Sequence, residues 1–165
     1  MRFLVFSLIL FFNFSCKENP PLRIETKTIK TNLNAKNNEY LKNYHPNKIG
    51  NEIEIQFIKN NENLNYYGIM SCSYDQNFII DNKDFKFEIS KCDSNYPSYI
   101  EFENNKSNEY KLLVVTSPNF KNKYFKIGFK KIIVPNDFNL IDSYDEQFWN
   151  KKYEILWSEP IKFEN

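Results

Sequence analysis

Glycine is scarce in this chain, with 3 in 165 residues, and the scarcity removes whole classes of chemistry. A P-loop or a G-x-G-x-x-G turn needs clustered glycines so that backbone N–H groups can approach a phosphate. Histidine is scarcer still: the chain has 1. It is His45, in Asn43-Tyr44-His45-Pro46-Asn47, which reads as a solvated loop. Ser-His-Asp and Cys-His arrangements therefore rest on one residue in an unpromising place, and no Gly-x-Ser-x-Gly elbow occurs. The 3 cysteines never form a C-x-x-C pair, and a single histidine does not complete a usual zinc set. Neither a metal nor a cofactor is expected. An excess of one charge is missing too: 22 basic residues face 21 acidic ones, for a net charge of +1. Such a balance argues against nucleic acid or anionic lipid as the main partner. Alanine is rare, while Asn, Lys, Ile, Phe and Tyr dominate, which is the signature of an AT-rich genome. Asn105-Lys106-Ser107 matters as a glycosylation acceptor only in a eukaryotic secretory route.

One long apolar run stands out against this background. Arg2 is followed by Phe3 to Phe12, interrupted only by Ser7. Ten helical residues rise about 15 Å, roughly half the hydrocarbon core of a bilayer, so the run fits the apolar region of a secretory signal. It ends in Asn13-Phe14-Ser15-Cys16, and the chain then turns polar with Lys17-Glu18-Asn19-Pro20-Pro21.

Ser15-Cys16 after such a run resembles the lipobox of bacterial lipoproteins. The resemblance implies that residues 1–15 are a signal peptide. It also implies that Cys16 becomes the acylated first residue of the mature chain and that residues 16–21 form a lipidated tether. Asn13 stands where a leucine is more common, and Phe14 is bulky. Each buried methylene contributes about 0.8 kcal/mol, and stable attachment takes more than one chain, as a triacylated terminus provides. Pro20-Pro21 favours an extended tether. Lys17 rather than Asp follows the cysteine, so the Asp-type inner-membrane retention signal is absent. The expected location is the cell envelope, at the outer membrane, with the membrane as partner through Cys16.

Removing residues 1–15 leaves 150 residues, one domain with room for a core; the expected domain is 22–165. Cys72 and Cys92 remain. In an oxidising compartment a disulfide is the default. It would close a loop of about twenty residues, worth roughly 3 kcal/mol in the chain-entropy model.

The mature chain reads in period two. Leu22, Ile24, Thr26 and Thr28 alternate with polar or charged neighbours, as do Ile53, Ile55 and Phe57. Phe85, Phe87 and Ile89 form another set, then Ile100 and Phe102, Phe125, Ile127 and Phe129, and finally Tyr153, Ile155 and Trp157, with Ile161 and Phe163 after Pro160. Alternation of this kind marks half-buried antiparallel strands. Tyr66 to Met70, Phe78 to Ile80 and Leu112 to Val115 are continuously apolar, as strands covered on both faces are. Asn60-Asn61-Glu62-Asn63, Asp81-Asn82-Lys83-Asp84, Asn104 to Asn108 and Ser117-Pro118-Asn119 are turn clusters. Lys130-Lys131 marks a bulge or a strand end. Residues 34–44 and 142–152 lack strand character, and Asp142 to Asn150 reads as a short helix capped by Ser143 with Glu146.

The expectation is a mainly β chain folded as an antiparallel sandwich, immunoglobulin-like or fibronectin-like, with a short helix near the C-terminus. The pattern also resembles small Bacteroidetes lipoproteins of unknown function, through Gly68 to Tyr74 preceding Cys92 and Pro97, Phe125 to Phe129, and Leu156-Trp157-Ser158. Both tryptophans follow Cys92, unlike the immunoglobulin cysteine–tryptophan–cysteine order.

Asp142, Asp145 and Glu146 cluster, but acids are favoured at a helix start in any case. No catalytic residue is assigned. The aromatics Tyr66, Tyr67, Tyr74, Tyr96 and Tyr99 lie around the cysteines and are the candidate ligand-binding residues, provided that they are exposed together. The leading expectation is a lipid-anchored, non-enzymatic interaction or accessory module of the envelope. The alternatives are a glycan-binding surface lipoprotein and an immunity or inhibitor protein guarding against an envelope-targeting enzyme.

Overall fold

The computed structural model describes residues 22–59, 66–88, 92, 96–101, 108–134 and 153–164. The expected signal peptide, Cys16 with its tether, the acidic cluster from Asp142 to Glu146 and the helix expected there lie outside them. The described chain is mainly β, with antiparallel pairing throughout and little helix.

Four strands form the largest sheet, in the order β1 (Leu22–Leu33), β2 (Ile49–Lys59), β7 (Asn108–Thr116), β5 (Phe85–Phe87). Its inward face is the expected alternation: Leu22, Ile24, Ile53, Ile55, Phe57, Leu112, Val114 and Phe85 are all buried. Glu52, Glu54 and Gln56 point the other way, and Lys30 on β1 meets Glu52 across the ladder at 2.8 Å. The β1–β2 register slips twice, between Thr28 and Lys30 and between Lys30 and Leu33. Asn32 takes φ 56° beside the second slip, the left-handed region that Asn tolerates better than most residues. Its carbonyl accepts from the side-chain amides of Asn34 and Asn37 at 3.0 and 2.9 Å. Local asparagines thus build this corner, whatever genomic bias supplied them.

The corner leads into α1 (Glu39–Tyr44), whose N-terminus is capped by Asn38 Oδ1 accepting from Leu41 N–H at 2.9 Å. Six residues do not hold a helix in water on their own. Leu41, fully buried, pins α1 onto Leu33 and Val115 on the outer face of the sheet. Hence Val114 and Val115 are both buried on β7, the both-faces coverage that the unbroken apolar run implied.

Shorter strands face the inward side. They run β10 (Ile133–Val134), β3 (Tyr66–Met70), β6 (Pro97–Glu101) in one sheet and β11 (Glu154–Trp157), β9 (Ile127–Lys131), β4 (Phe78–Ile80) in another. β12 (Ile161–Lys162) pairs with β8 (Tyr124–Phe125). Aromatic rings bridge the two sides: Phe57 meets Phe129 edge-on at 4.8 Å, and Phe85 lies 4.8 Å from Phe125 and 5.2 Å from Phe163. Such offset and edge contacts add roughly 0.5–1.5 kcal/mol each beyond area burial. Asn51, fully buried on β2, is satisfied when its amide donates to the Glu164 carbonyl at 3.1 Å and accepts from Glu164 N–H at 3.0 Å. That pair ties the C-terminal segment to the main sheet.

Strand β11 corrects an expectation. Tyr153, Ile155 and Trp157 read as an inward set, but Leu156 is the residue packed against the core, and Tyr153 and Trp157 are each 40% exposed. The register pairs Leu156 with Phe129 and Trp157 with Gly128. The hole left by the glycine on the outer face is what the tryptophan ring covers.

Candidate functional site

Among the described residues, two hollows lie on the face of the main sheet that carries α1. The larger, about 480 Å³, lies at the end where Thr116 is opposed by Ile49 on one side and Phe85 on the other. That register brings three loops to one place. Lys48 immediately precedes β2, Lys83 belongs to the turn before β5, and Lys121 follows the turn after β7. Lys86 stands on β5 opposite Val115. All four line the hollow, and Asp84 is the one carboxylate among the lining residues.

The loops are fixed by their own polar groups. Asn82 Oδ1 accepts from Asp84 N–H at 3.0 Å, and its Nδ2 donates to the Tyr124 carbonyl at 2.9 Å. Asp81 Oδ1 accepts from Lys126 N–H at 2.7 Å. Thr116 Oγ1 donates to the Asp84 carbonyl at 2.7 Å and so clamps two of the loops together. Phe120 closes the Ser117 turn and packs its ring 5.6 Å from Phe85 and 5.2 Å from Phe163. Buried Val115 and half-buried Phe120 give the hollow an apolar wall. None of the side-chain ammonium groups of Lys48, Lys83, Lys86 and Lys121 has an ion-pair or hydrogen-bond partner among the described residues.

The second hollow, about 220 Å³, is lined by Tyr40, Tyr74, Asp75, Glu88, Lys111 and two leucines of β7. His45 was expected to be a solvated loop residue. Instead it ends α1, with its N–H donating to the Leu41 carbonyl at 2.9 Å and Nε2 lying 2.8 Å from Glu88 Oε2. The reason is local: the helix holds the ring against the Glu88 carboxylate, which extends past the end of β5. Burial, then the Glu88 charge, raises the Tyr40 phenol above its ordinary range. Burial, then Asp75, does the same for Tyr74, whose hydroxyl donates to the Lys111 carbonyl at 2.9 Å. Both phenols therefore stay protonated at neutral pH, as donors rather than nucleophiles. No group of three or more His, Cys, Asp and Glu residues able to hold a metal occurs among the described residues.

Of the candidate aromatics, the three with described side chains, Tyr67, Tyr74 and Tyr96, lie in different surroundings. Tyr67 is 5% exposed and belongs to the core. An apolar β3 packed against Phe129 leaves that ring no route to solvent. Tyr74 lines the smaller hollow. Tyr96 is exposed, and its backbone is held by Ser71 beside Cys72. Tyr66 and Tyr99 belong to β3 and β6, and their side chains lie outside the described residues, as does Cys16. Cys72 and Cys92 stand at disulfide distance, with Cα atoms 6.0 Å apart. Sequence reasoning missed the four lysines, because they come from separated stretches that only the β2–β7–β5 register gathers. The available signal was Lys83 inside a turn cluster and Lys121 just after another.

No family model matches the chain, and no curated protein matches it. Among solved structures it is similar to a FixG-related protein from Vibrio parahaemolyticus. The two share 9% identity and a TM-score of 0.39, over 88% of this chain and 98% of that one. A likeness this loose carries no argument about topology or activity.

Proposed function

We propose that the chain is a lipid-anchored, non-enzymatic binding module of the cell envelope. In this reading the strands form an immunoglobulin-like or fibronectin-like sandwich, and the face bearing α1 is the ligand-binding surface. The observation that carries the reading is the lysine-lined hollow, open to solvent on that face. The anchor is supported by the apolar run ending at Ser15-Cys16 and by the start of β1 at Leu22. Residues 16–21 reach at most about 20 Å when extended, so the domain is held close to the bilayer.

The test is intact mass spectrometry on protein from the membrane fraction, beside a Cys16→Ser variant. The expected result is a chain starting at Cys16 with added acyl mass, gaining two hydrogens on reduction, and a variant that leaves the membrane fraction. An unlipidated mass sinks the anchor. The glycan-binding alternative has one observation in its favour, the exposed Tyr153 just before β11 and Trp157 at its end. Tryptophan emission unchanged across a polysaccharide panel removes it.

A further inference from the structure

We propose that the lysine-lined hollow is a binding site for a phosphate-bearing ligand, the anion being held by Lys48, Lys83, Lys86 and Lys121. This inference rests on the reading of the α1 face as a binding surface and names the chemistry that it takes.

The charge is the first part of the argument. Four ammonium groups face one carboxylate, Asp84, around a single hollow of about 480 Å³. The whole chain has 22 basic and 21 acidic residues, so composition alone provides an acid for nearly every base. Among the described residues three such pairs form, Arg23 with Glu25, Lys30 with Glu52, and Lys131 with Glu154. None of them falls at this site, where four like charges brought together repel. A bound polyanion removes that repulsion.

Geometry is the second part. The volume falls within the 300–1,000 Å³ typical of small-molecule sites, as an order of magnitude. Its charged rim and apolar wall, Val115 and Phe120, suit a ligand with a compact anionic head and a less polar remainder. Lysine ammonium groups act as point charges on a rotatable stem, which fits the three-oxygen head of a phosphate. An arginine fork holds carboxylate and phosphate alike; no arginine lines the hollow, so the anion is held by the point charges of the lysines alone. The loops are preorganised by the Asn82, Asp81 and Thr116 hydrogen bonds, so binding orders little beyond the lysine side chains.

The experiment is isothermal titration of the full lipidated chain, in a neutral detergent, with tripolyphosphate, and with citrate as a carboxylate of similar charge. Saturable binding of tripolyphosphate is expected, weakening several-fold from low to physiological ionic strength, with citrate clearly weaker. Lys83, Lys86 and Lys121 are exposed, so a Lys86→Gln/Lys121→Gln double variant keeps the fold. It is expected to lose about tenfold or more in affinity. Lys27→Gln, exposed on β1 at the opposite edge of the main sheet from β5, is the control and is expected to lose none. Vesicles of phosphatidylcholine doped with phosphatidic acid separate two sources of the phosphate. Competition with tripolyphosphate marks a lipid headgroup, and no competition marks a free phosphorylated ligand; both support the site. Absence of saturable binding, equal affinity for citrate, or equal loss in the control variant overturns it. Failure here with acylation intact leaves the anchor standing, whereas binding by an unlipidated chain removes only the anchor.

Discussion

Replacing Gly128 by alanine tests the placement of β11 over β9 directly. Gly128 does not have a positive φ, so alanine fits its backbone, and in an ordinary strand the change gains roughly 0.5–1 kcal/mol from reduced freedom of the unfolded chain. Here the outward side of the glycine is occupied. A Cβ built there falls 2.6 Å from Ile155 Cγ2 and 2.8 and 2.9 Å from two ring carbons of Trp157. The first contact is about 0.8 Å short of the 3.4 Å at which ordinary carbon contact begins. The Trp157 ring, 40% exposed, can swing away. Ile155 cannot do so cheaply, because Cγ2 is attached to Cβ and χ1 of a β-branched residue is stiff. Overpacking of this kind costs about 1–3 kcal/mol. Set against the gain, Gly128→Ala is expected to destabilise by roughly 1–2 kcal/mol, or about 3–6 °C in Tm for a domain of this size. Urea unfolding measures it. A Trp149→Phe background leaves Trp157 as the sole indole, and its emission is expected to shift to the red as the ring is displaced. An Ile155→Ala partner removes the hard contact, so the double variant is expected to lose less than the sum of the singles. An alanine variant that is more stable than the parent, with unchanged emission, refutes the stacking and the β9–β11 register with it.

Two further outcomes follow from the same packing. Leu41→Ala removes the one fully buried side chain of α1 and is expected to cost about 2–5 kcal/mol; hydrogen exchange should show α1 amides losing protection well before the β1–β2 ladder. The Tyr110 phenol is pushed up to about 12 from its ordinary 10.0, by burial and then by Tyr74. The folded state therefore keeps a proton that the unfolded chain releases. Stability is full below pH 10 and falls as pH rises toward about 12, and Tyr110→Phe flattens that limb in alkaline urea titrations.

Much of the strand content was legible because half-buried antiparallel strands write their environment into alternate positions. Ile53, Ile55 and Phe57 are inward as read, and so are Phe125, Ile127 and Phe129. The unbroken run at Leu112 to Val115 implied cover on both faces, and β7 has it at Val114 and Val115. What supplies the cover was not legible. Leu41 comes from a stretch that carries no strand pattern, and a two-turn helix held by one leucine leaves little periodicity to read. Trp157 misled for a different reason. A large aromatic is taken as inward by default, yet a glycine on the neighbouring strand makes the outer side the better packed place for it.

The lysine hollow shows where a sum over the sequence stops being informative. A net charge of +1 argues against an anionic partner only when the two signs are evenly mixed in space. Charges act over a screening length of about 8–10 Å at physiological salt, a distance spanned by a few side chains rather than by a domain. Lys48, the neighbouring Lys83 and Lys86, and Lys121 come from three distant stretches of the chain, and each alone reads as an ordinary surface residue. Strand register converts them into one field, since Thr116 faces Ile49 and Phe85 together. Electrostatic partners of a small β domain are therefore decided by which loops share a sheet end, and a neutral total leaves that question open.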